Sequence, residues 1–387
     1  MRVLLASTEG AGHYNPLVPF AAALTQRRDE PLFVVPPRLS DTVLATGYPF
    51  RIGAAPPAAE LDAIWARVPD ASPDEAAVLV NREIFGRLDT TAMLPAVEAA
   101  CREWRPDLVL HEAAEYASAV AADRLGIPHA QIAISRANAE DGSLRLAAPA
   151  LEPFGDGIVA RIRATPYLSR FPASVDPSPY PVTRRYREVV PAPSGPLPDW
   201  WDGADRPLLY VTFGSVAGGI PGSGGMSIGA MACRAALAAV ADLPVRVLLT
   251  IGRATEVAQL GAMPGNVHVE AWVPQADVLA EASAVVCHGG SGTTFGTLAA
   301  GVPLVVLPLF ADQPGNARGV ADAGAGVVVE PTPGAPAADR IGPQHASQLR
   351  SAIEKVLDEP SYRTAAARVA EEIRATPTID ELLNEMH

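Results

Sequence analysis

The residues best placed to do chemistry sit in Ala284–Gly301, which reads AVVCHGGSGTTFGTLAAG. An apolar run passes straight into His288-Gly289-Gly290-Ser291-Gly292-Thr293-Thr294, and a helical stretch follows up to Gly301. Glycines let a backbone approach a ligand closely, and a new helix presents unpaired N–H groups with partial positive charge. Ser291, Thr293 and Thr294 add hydroxyl donors. Such a turn suits a diphosphate whose negative charge rises as it departs. Plain capping of a helix would need fewer glycines and hydroxyls. No Lys follows the glycines, so the segment is not a Walker P-loop.

Two flanking stretches extend this site. Trp272-Val273-Pro274-Gln275 offers an aromatic face for stacking a base and an amide for hydrogen bonds. Asp312 and Gln313, in PLFADQ, place a carboxylate and an amide suited to sugar hydroxyls. Near the N-terminus, Glu9-Gly10-Ala11-Gly12-His13 follows an apolar run. Gly10-x-Gly12 is only part of a dinucleotide fingerprint, because Asn15 stands where the third glycine belongs, and a dehydrogenase is rejected. The unperturbed pKa of histidine lies in the working range of a general base, which makes His13 a candidate. A base is steadier when a carboxylate orients its ring, and Asp107-Leu108-Val109-Leu110-His111-Glu112 ends another apolar run. Either His111 or Glu112 can face the same site, while Asp107 caps the strand entry. No D-x-D motif or metal-spaced His/Asp cluster occurs, so no metal or other cofactor is expected.

The elements that must position these residues alternate short apolar runs with longer helical segments, the pattern of parallel α/β sheets. Strands are expected at Val3–Ala6, Leu32–Val35, Leu108–Leu110 and His129–Ile134, with helices at Pro16–Arg27 and Tyr116–Leu125. The scheme restarts with Leu208–Phe213, Val245–Thr250, Val267–Val269, Ala284–Cys287 and Leu304–Leu307. Two doubly wound domains follow: 1–190, a Pro-rich linker at 191–207, and 208–373. Helices are expected at Gln344–Leu357 and Tyr362–Ile373, and a tail at 374–387, amphipathic over Ile379–Met386, could return to the first domain. Ligands of open α/β sheets bind beyond the carboxyl ends of strands, so the active site is expected in a cleft between the domains.

Composition narrows the class. With 387 residues, 49% of them hydrophobic, the chain is long enough for two cores. A net charge of −13 argues against a nucleic-acid partner. Cys101, Cys233 and Cys287 form no CxxC pair, which favours a reducing compartment. No apolar run is long enough for a bilayer or a signal peptide, so the expected location is cytoplasmic, away from membranes.

The order W-x-P-Q, H-G-G-x-G-T-T, then D-Q-x-x-N (Asp312, Gln313, Asn316) resembles the donor-binding signature of family 1, GT-B-fold glycosyltransferases. It is most similar to the actinobacterial enzymes that decorate antibiotic aglycones. The resemblance covers most of Leu208–Glu330; in the first half it is confined to the N-terminal loop, PDLVLHE and the general layout. It implies that Trp272 stacks on a pyrimidine, that the Val273 backbone meets the base edge, and that Gln275 lies near the ribose. It further implies that His288, Gly290, Ser291, Gly292 and Thr293 hold the diphosphate, that Asp312 and Gln313 bind sugar hydroxyls, and that Ser215 lines the donor site. His13 matches the residue that removes the acceptor's proton, and an acid near PDLVLHE selects Glu112 as its partner. Plant members carry a ribose-binding Glu eight residues after the motif His, where this chain has Gly296, leaving uridine and thymidine donors both open.

The function implied is inverting, metal-independent transfer of a sugar from a UDP- or dTDP-sugar to a hydroxyl of a small natural-product acceptor. The rivals are a GT-B epimerase, a transferase acting on a lipid-linked acceptor, and a catalytically silent glycosyltransferase-like activator. The lipid reading wants a basic or apolar patch on the first domain, and the silent one wants a lost base or phosphate motif; the sequence offers neither.

Overall fold

The computed structural model describes residues 1–387 except 189–191, 202–204, 215–216, 221, 223–224, 253–254, 336–338, 343 and 387. The chain divides into two compact units, Met1–Val189 with Thr376–His387, and Val190–Ala375.

Unit 1 is built on β1 (Arg2–Ala6), β2 (Glu30–Val35), β3 (Phe50–Ile52), β4 (Leu108–Glu112), β5 (His129–Ile132), β6 (Tyr167–Ser169) and β7 (Thr183–Arg185). All pair in parallel, in the order β3-β2-β1-β4-β5-β6-β7. A parallel sheet is covered on both faces, so its strands are apolar throughout. Alternation still sorts them: Val3 and Leu5 enter one core cluster, Leu4 and Ala6 the other. On β4, Leu108 and Leu110 join the first cluster and Val109 the second. Glu112 therefore shares its face with Leu108 and Leu110, and His111 points to the opposite one.

Unit 2 repeats the plan with β8 (Leu208–Thr212), β9 (Arg246–Thr250), β10 (Val267–Glu270), β11 (Ala282–Cys287), β12 (Leu304–Val306) and β13 (Gly326–Val328). Their order is β10-β9-β8-β11-β12-β13, again all parallel. Each sheet reverses its winding beside its first strand, between β1 and β4 and between β8 and β11. In open α/β sheets that is the place where ligands bind.

Several expectations are revised. The strands β3, β6, β7 and β13 were not read from the sequence, and β5 stops at Ile132 instead of Ile134. The helix expected from Pro16 is preceded by a short turn of helix at Ala11–Tyr14 and a 3-10 turn at Asn15–Leu17. Residues Leu79–Asp89 form a π-helical stretch. The Pro-rich segment clusters with unit 2: Ser194 donates through its N–H and hydroxyl to Asp277 (2.6 Å each), and the Trp201 indole N–H donates to the Asn266 carbonyl (3.1 Å).

Residues Thr376–His387 cluster with unit 1. Thr378 and Glu381 form a capping box that starts the helix Ile379–Asn384. Ile379, Leu382 and Leu383 fall at i, i+3 and i+4, and all three join the core that holds Leu17, Phe20 and Tyr186. Among the described residues no helix is long and apolar enough to cross a membrane.

Candidate active site

In unit 1 the site forms where the sheet winding reverses. β1 delivers Thr8 and the short helix carrying His13, and β4 delivers Glu112. The Gly10 carbonyl accepts from the N–H groups of His13 (3.1 Å) and Tyr14 (3.0 Å), which sets the turn. His13 Nδ1 lies 3.1 Å from Glu112 Oε1 and 2.9 Å from Thr8 Oγ1. Thr8 donates to Glu112 Oε1 through both its hydroxyl (2.7 Å) and its N–H (3.1 Å), and the Ala114 N–H donates to Oε2 (2.7 Å). Burial alone would raise the carboxyl pKa of Glu112; the His13 charge and the donors from His13, Thr8 and Ala114 outweigh it, so the net direction is down.

This network fixes a proton. The single Thr8 hydroxyl proton goes to Glu112, which can only accept. The Thr8 lone pair and the Glu112 oxygen then both require a donor at His13 Nδ1, leaving Nε2 with the lone pair. His13 is about one-fifth exposed and its ring lies 5.3 Å from that of Phe85. Thr8→Val is expected to cost about 1–3 kcal/mol of stability, because buried Glu112 loses a donor. ¹⁵N spectra of labelled histidine should show His13 protonated at Nδ1 in the wild type and in Thr8→Val, where Glu112 still accepts from it, and as a tautomer mixture in Glu112→Ala. An unchanged spectrum in Glu112→Ala would show that the carboxylate does not set the tautomer.

His111 takes no part in this network. Its Nδ1 pairs with the Glu112 carbonyl (3.1 Å) and its Nε2 with His129 Nδ1 (3.2 Å), on the far face of the sheet. Burial pushes His111 down to about 4 and His129 to about 3.

In unit 2, β11 ends at Cys287 and the helix Ser291–Ala299 begins with Gly290 as its N-cap, without a side-chain cap. Its first N–H groups are therefore left for a ligand. A Cβ at Gly292 would meet nothing within 4 Å, so this end opens outward. Behind it, His288 is packed edge-on between glycines: a Cβ at Gly214 would fall 2.8 Å from its ring and one at Gly290 2.5 Å. Gly289 holds φ +85°, and a Cβ there would lie 2.9 Å from Val306 Cγ1. Among the described residues, His288 Nδ1 and Thr294 Oγ1 are buried polar atoms with no hydrogen-bond partner, and burial brings the imidazole down to about 4.

The remaining donor-side residues have these places. Ser291 Oγ donates to Asp312 Oδ2 (2.8 Å), and Asn316 Nδ2 donates to Gly289 O (2.8 Å), Ser291 Oγ (3.0 Å) and Asp312 Oδ2 (2.7 Å). The hydroxyl of Ser291 is thus spent on the loop, and its backbone N–H remains for an anion. Gln313 Oε1 accepts from the N–H groups of Leu309 (2.8 Å) and Phe310 (3.0 Å), so only its amide nitrogen is uncommitted by these bonds. Trp272 is 71% exposed, a bare face, beside half-buried Val273. The Gln275 carboxamide lies over Gly296, where a Cβ would come within 3.0 Å of its Oε1. Thr293 is half-buried on the opening helix. Ser215 lies outside the described residues. Sequence reasoning missed Thr8, Phe85 and the bracing role of Asn316. Among the described residues there is no group of three or more His, Cys, Asp or Glu side chains arranged to hold a metal.

Comparison with known proteins agrees with this architecture. The solved glycosyltransferase SnogD from Streptomyces nogalater has 26% identity and a TM-score of 0.73 over 100% of this chain and 98% of its own. The spinosyn rhamnosyltransferase SpnG, solved with thymidine diphosphate, has 23% identity and a TM-score of 0.78 over the whole of both chains. Two doubly wound parallel sheets, each reversing its winding beside its first strand, define a glycosyltransferase of the GT-B fold.

Residues 55–149 match the family described as erythromycin biosynthesis protein CIII-like, N-terminal domain, and residues 234–387 its C-terminal domain. Elloramycin glycosyltransferase ElmGT of Streptomyces olivaceus is 32% identical over 100% of this chain and 97% of its own. The 10-deoxymethynolide desosaminyltransferase of Streptomyces venezuelae is 30% identical over 98% of this chain and 94% of its own. The chain belongs to the erythromycin biosynthesis protein CIII-like glycosyltransferases.

Proposed function

We propose that the enzyme transfers a sugar, with inversion and without a metal, from a thymidine or uridine diphosphate donor to a hydroxyl of a small natural-product acceptor of an antibiotic pathway. The observation that carries the donor half is the uncapped helix at Ser291, open at Gly292 and backed by His288 Nδ1 and Thr294 Oγ1, which have no hydrogen-bond partner among the described residues. Thymidine diphosphate is the first candidate, because SpnG and VinC were both solved with it. Trp272 would stack on the base, with Val273 and Gln275 beside it, and Asp312 and the Gln313 amide nitrogen would meet the sugar.

In the reaction the acceptor oxygen bonds to the anomeric carbon as the bond from that carbon to the diphosphate oxygen breaks. The acceptor proton passes to His13 Nε2, Glu112 balances the resulting charge, and the leaving electron pair is held by the helix N-terminus. Each charge–dipole contact contributes about 0.3–2 kcal/mol, and several aimed at one departing group add to the stabilisation of the transition state.

Thymidine diphosphate at about 100 times Kd is expected to stabilise the folded enzyme by roughly 2.7 kcal/mol. Both that shift and turnover should persist in excess EDTA. No melting rise with thymidine or uridine diphosphate, or activity that EDTA abolishes and magnesium restores, would overturn the reading.

A further inference from the structure

The π-helical stretch Leu79–Asp89 places more than Phe85 beside His13. In a ladder with i→i+5 bonds, residues four apart lie nearly one turn apart, so Asp89 follows Phe85 on neighbouring sides of the helix. Gly86, next to Phe85, lets the helix pack closely on Ala147, since a Cβ there would come within 3.1 Å of it. The charged groups that act on Asp89 are Glu112 of β4 and His13 and Glu9 of the β1 loop. Arg87 on its own helix is engaged by Glu83 (2.9 Å) and Glu60 (3.1 Å).

Among the described residues no hydrogen bond or ion pair holds the Asp89 carboxyl, which is half-buried. Its oxygens are not among the buried unpartnered atoms, so they reach open space. A desolvated carboxylate beside a second one is unfavourable until a donor reaches it. Burial and Glu112 raise it to about 7, against the pull of His13. The apolar side chain beside His13 is half-buried Phe85, which packs on the buried cluster of Ile64, Leu79, Ile84 and Leu88.

We propose that Asp89 is a specificity-determining residue of the acceptor site: its carboxylate takes a second donor, hydroxyl or amine, adjacent to the hydroxyl that His13 deprotonates. The acceptor class is then an apolar scaffold bearing two neighbouring donors. This rests on the transfer reading above.

Catechol, phenol and guaiacol separate the effect, because guaiacol keeps both oxygens of catechol but caps its second donor with a methyl, while phenol lacks that donor without adding bulk. Affinities are measured by ligand-observed NMR on the thymidine diphosphate-bound enzyme. Wild type should bind catechol about tenfold or more above guaiacol, the scale of a hydrogen bond to a charged group. Asp89→Ala should bring the ratio near one. Asp89→Asn, which retains a weaker neutral acceptor, should leave an intermediate value. Equal binding of catechol and guaiacol by wild type, or a preference that survives Asp89→Ala, overturns the proposal. Should one variant misfold, as its melting curve would show, the other carries the comparison. Failure of the transfer reading is separately visible in the same samples as absent nucleotide stabilisation.

Discussion

His13→Ala is expected to lower kcat by about 10²–10⁴-fold, the usual contribution of a positioned general base, while thymidine diphosphate affinity holds. The two halves of the expectation come from different units. His13, Thr8 and Glu112 belong to unit 1, whereas Trp272, His288 and the helix at Ser291 belong to unit 2. An acidic acceptor such as a phenol should lose less than an aliphatic alcohol, because it needs less help to ionise. Wild-type kcat on an aliphatic alcohol would make His13 structural. Collapse of nucleotide binding would instead break the division of labour between the units.

Stability should respond to pH through two buried groups of opposite sign. His111 is fully buried and sits near 4 instead of 6.5. Between those values the unfolded chain binds the extra proton, so this histidine destabilises the fold as pH falls. At pH 5 the cost is about 2 kcal/mol relative to pH 7. Glu115 caps the helix Tyr116–Leu125 through Ser118 N (3.0 Å) and is raised to about 7 by burial, with Glu112 and Asp89 adding to it against the Ser118 bonds. Here the folded chain holds the proton between 4.5 and 7, and that stabilisation fades as pH rises through 7, again by about 2 kcal/mol between pH 5 and 7. The two contributions nearly cancel in the wild type. Denaturant melts at pH 5 and 7 should show His111→Asn gaining relative stability at pH 5, and Glu115→Gln losing it there. Parallel behaviour of both variants and wild type would mean that neither group titrates as its burial requires.

The sequence made the scaffold legible wherever burial was continuous. β1, β2, β4, β8, β9 and β11 are long apolar runs, and each carries its own signal. The strands that were missed are the three-residue β3, β6, β7 and β13. FRI alternates over only three residues and TRR has no apolar residue, and such strands exist only because a neighbouring strand supplies the ladder. The donor turn was legible because its glycines, hydroxyls and histidine are consecutive. The pairing of His13 with a carboxylate was half legible. His13 stood out, but the choice between His111 and Glu112 turned on a one-residue register, which the pleat of β4 decides. Thr8 is 104 residues from its partner Glu112, and Phe85 reaches His13 from a helix whose π geometry has no sequence mark. Such pairings are properties of the folded topology.

The return of Thr376–His387 to unit 1 bears on how the protein is made and recombined. All of unit 2 is synthesised before the segment bearing Ile379, Leu382 and Leu383 exists, so unit 1 must wait on the ribosome with part of its core uncovered. Leu17, Phe20 and Tyr186 border that gap, and the delay exposes apolar surface in a nascent chain. A hybrid enzyme spliced once, at the Pro-rich segment, would join one parent's first unit to another parent's closing helix. Two crossovers, the second near Thr376, keep that helix with the core it evolved to cover.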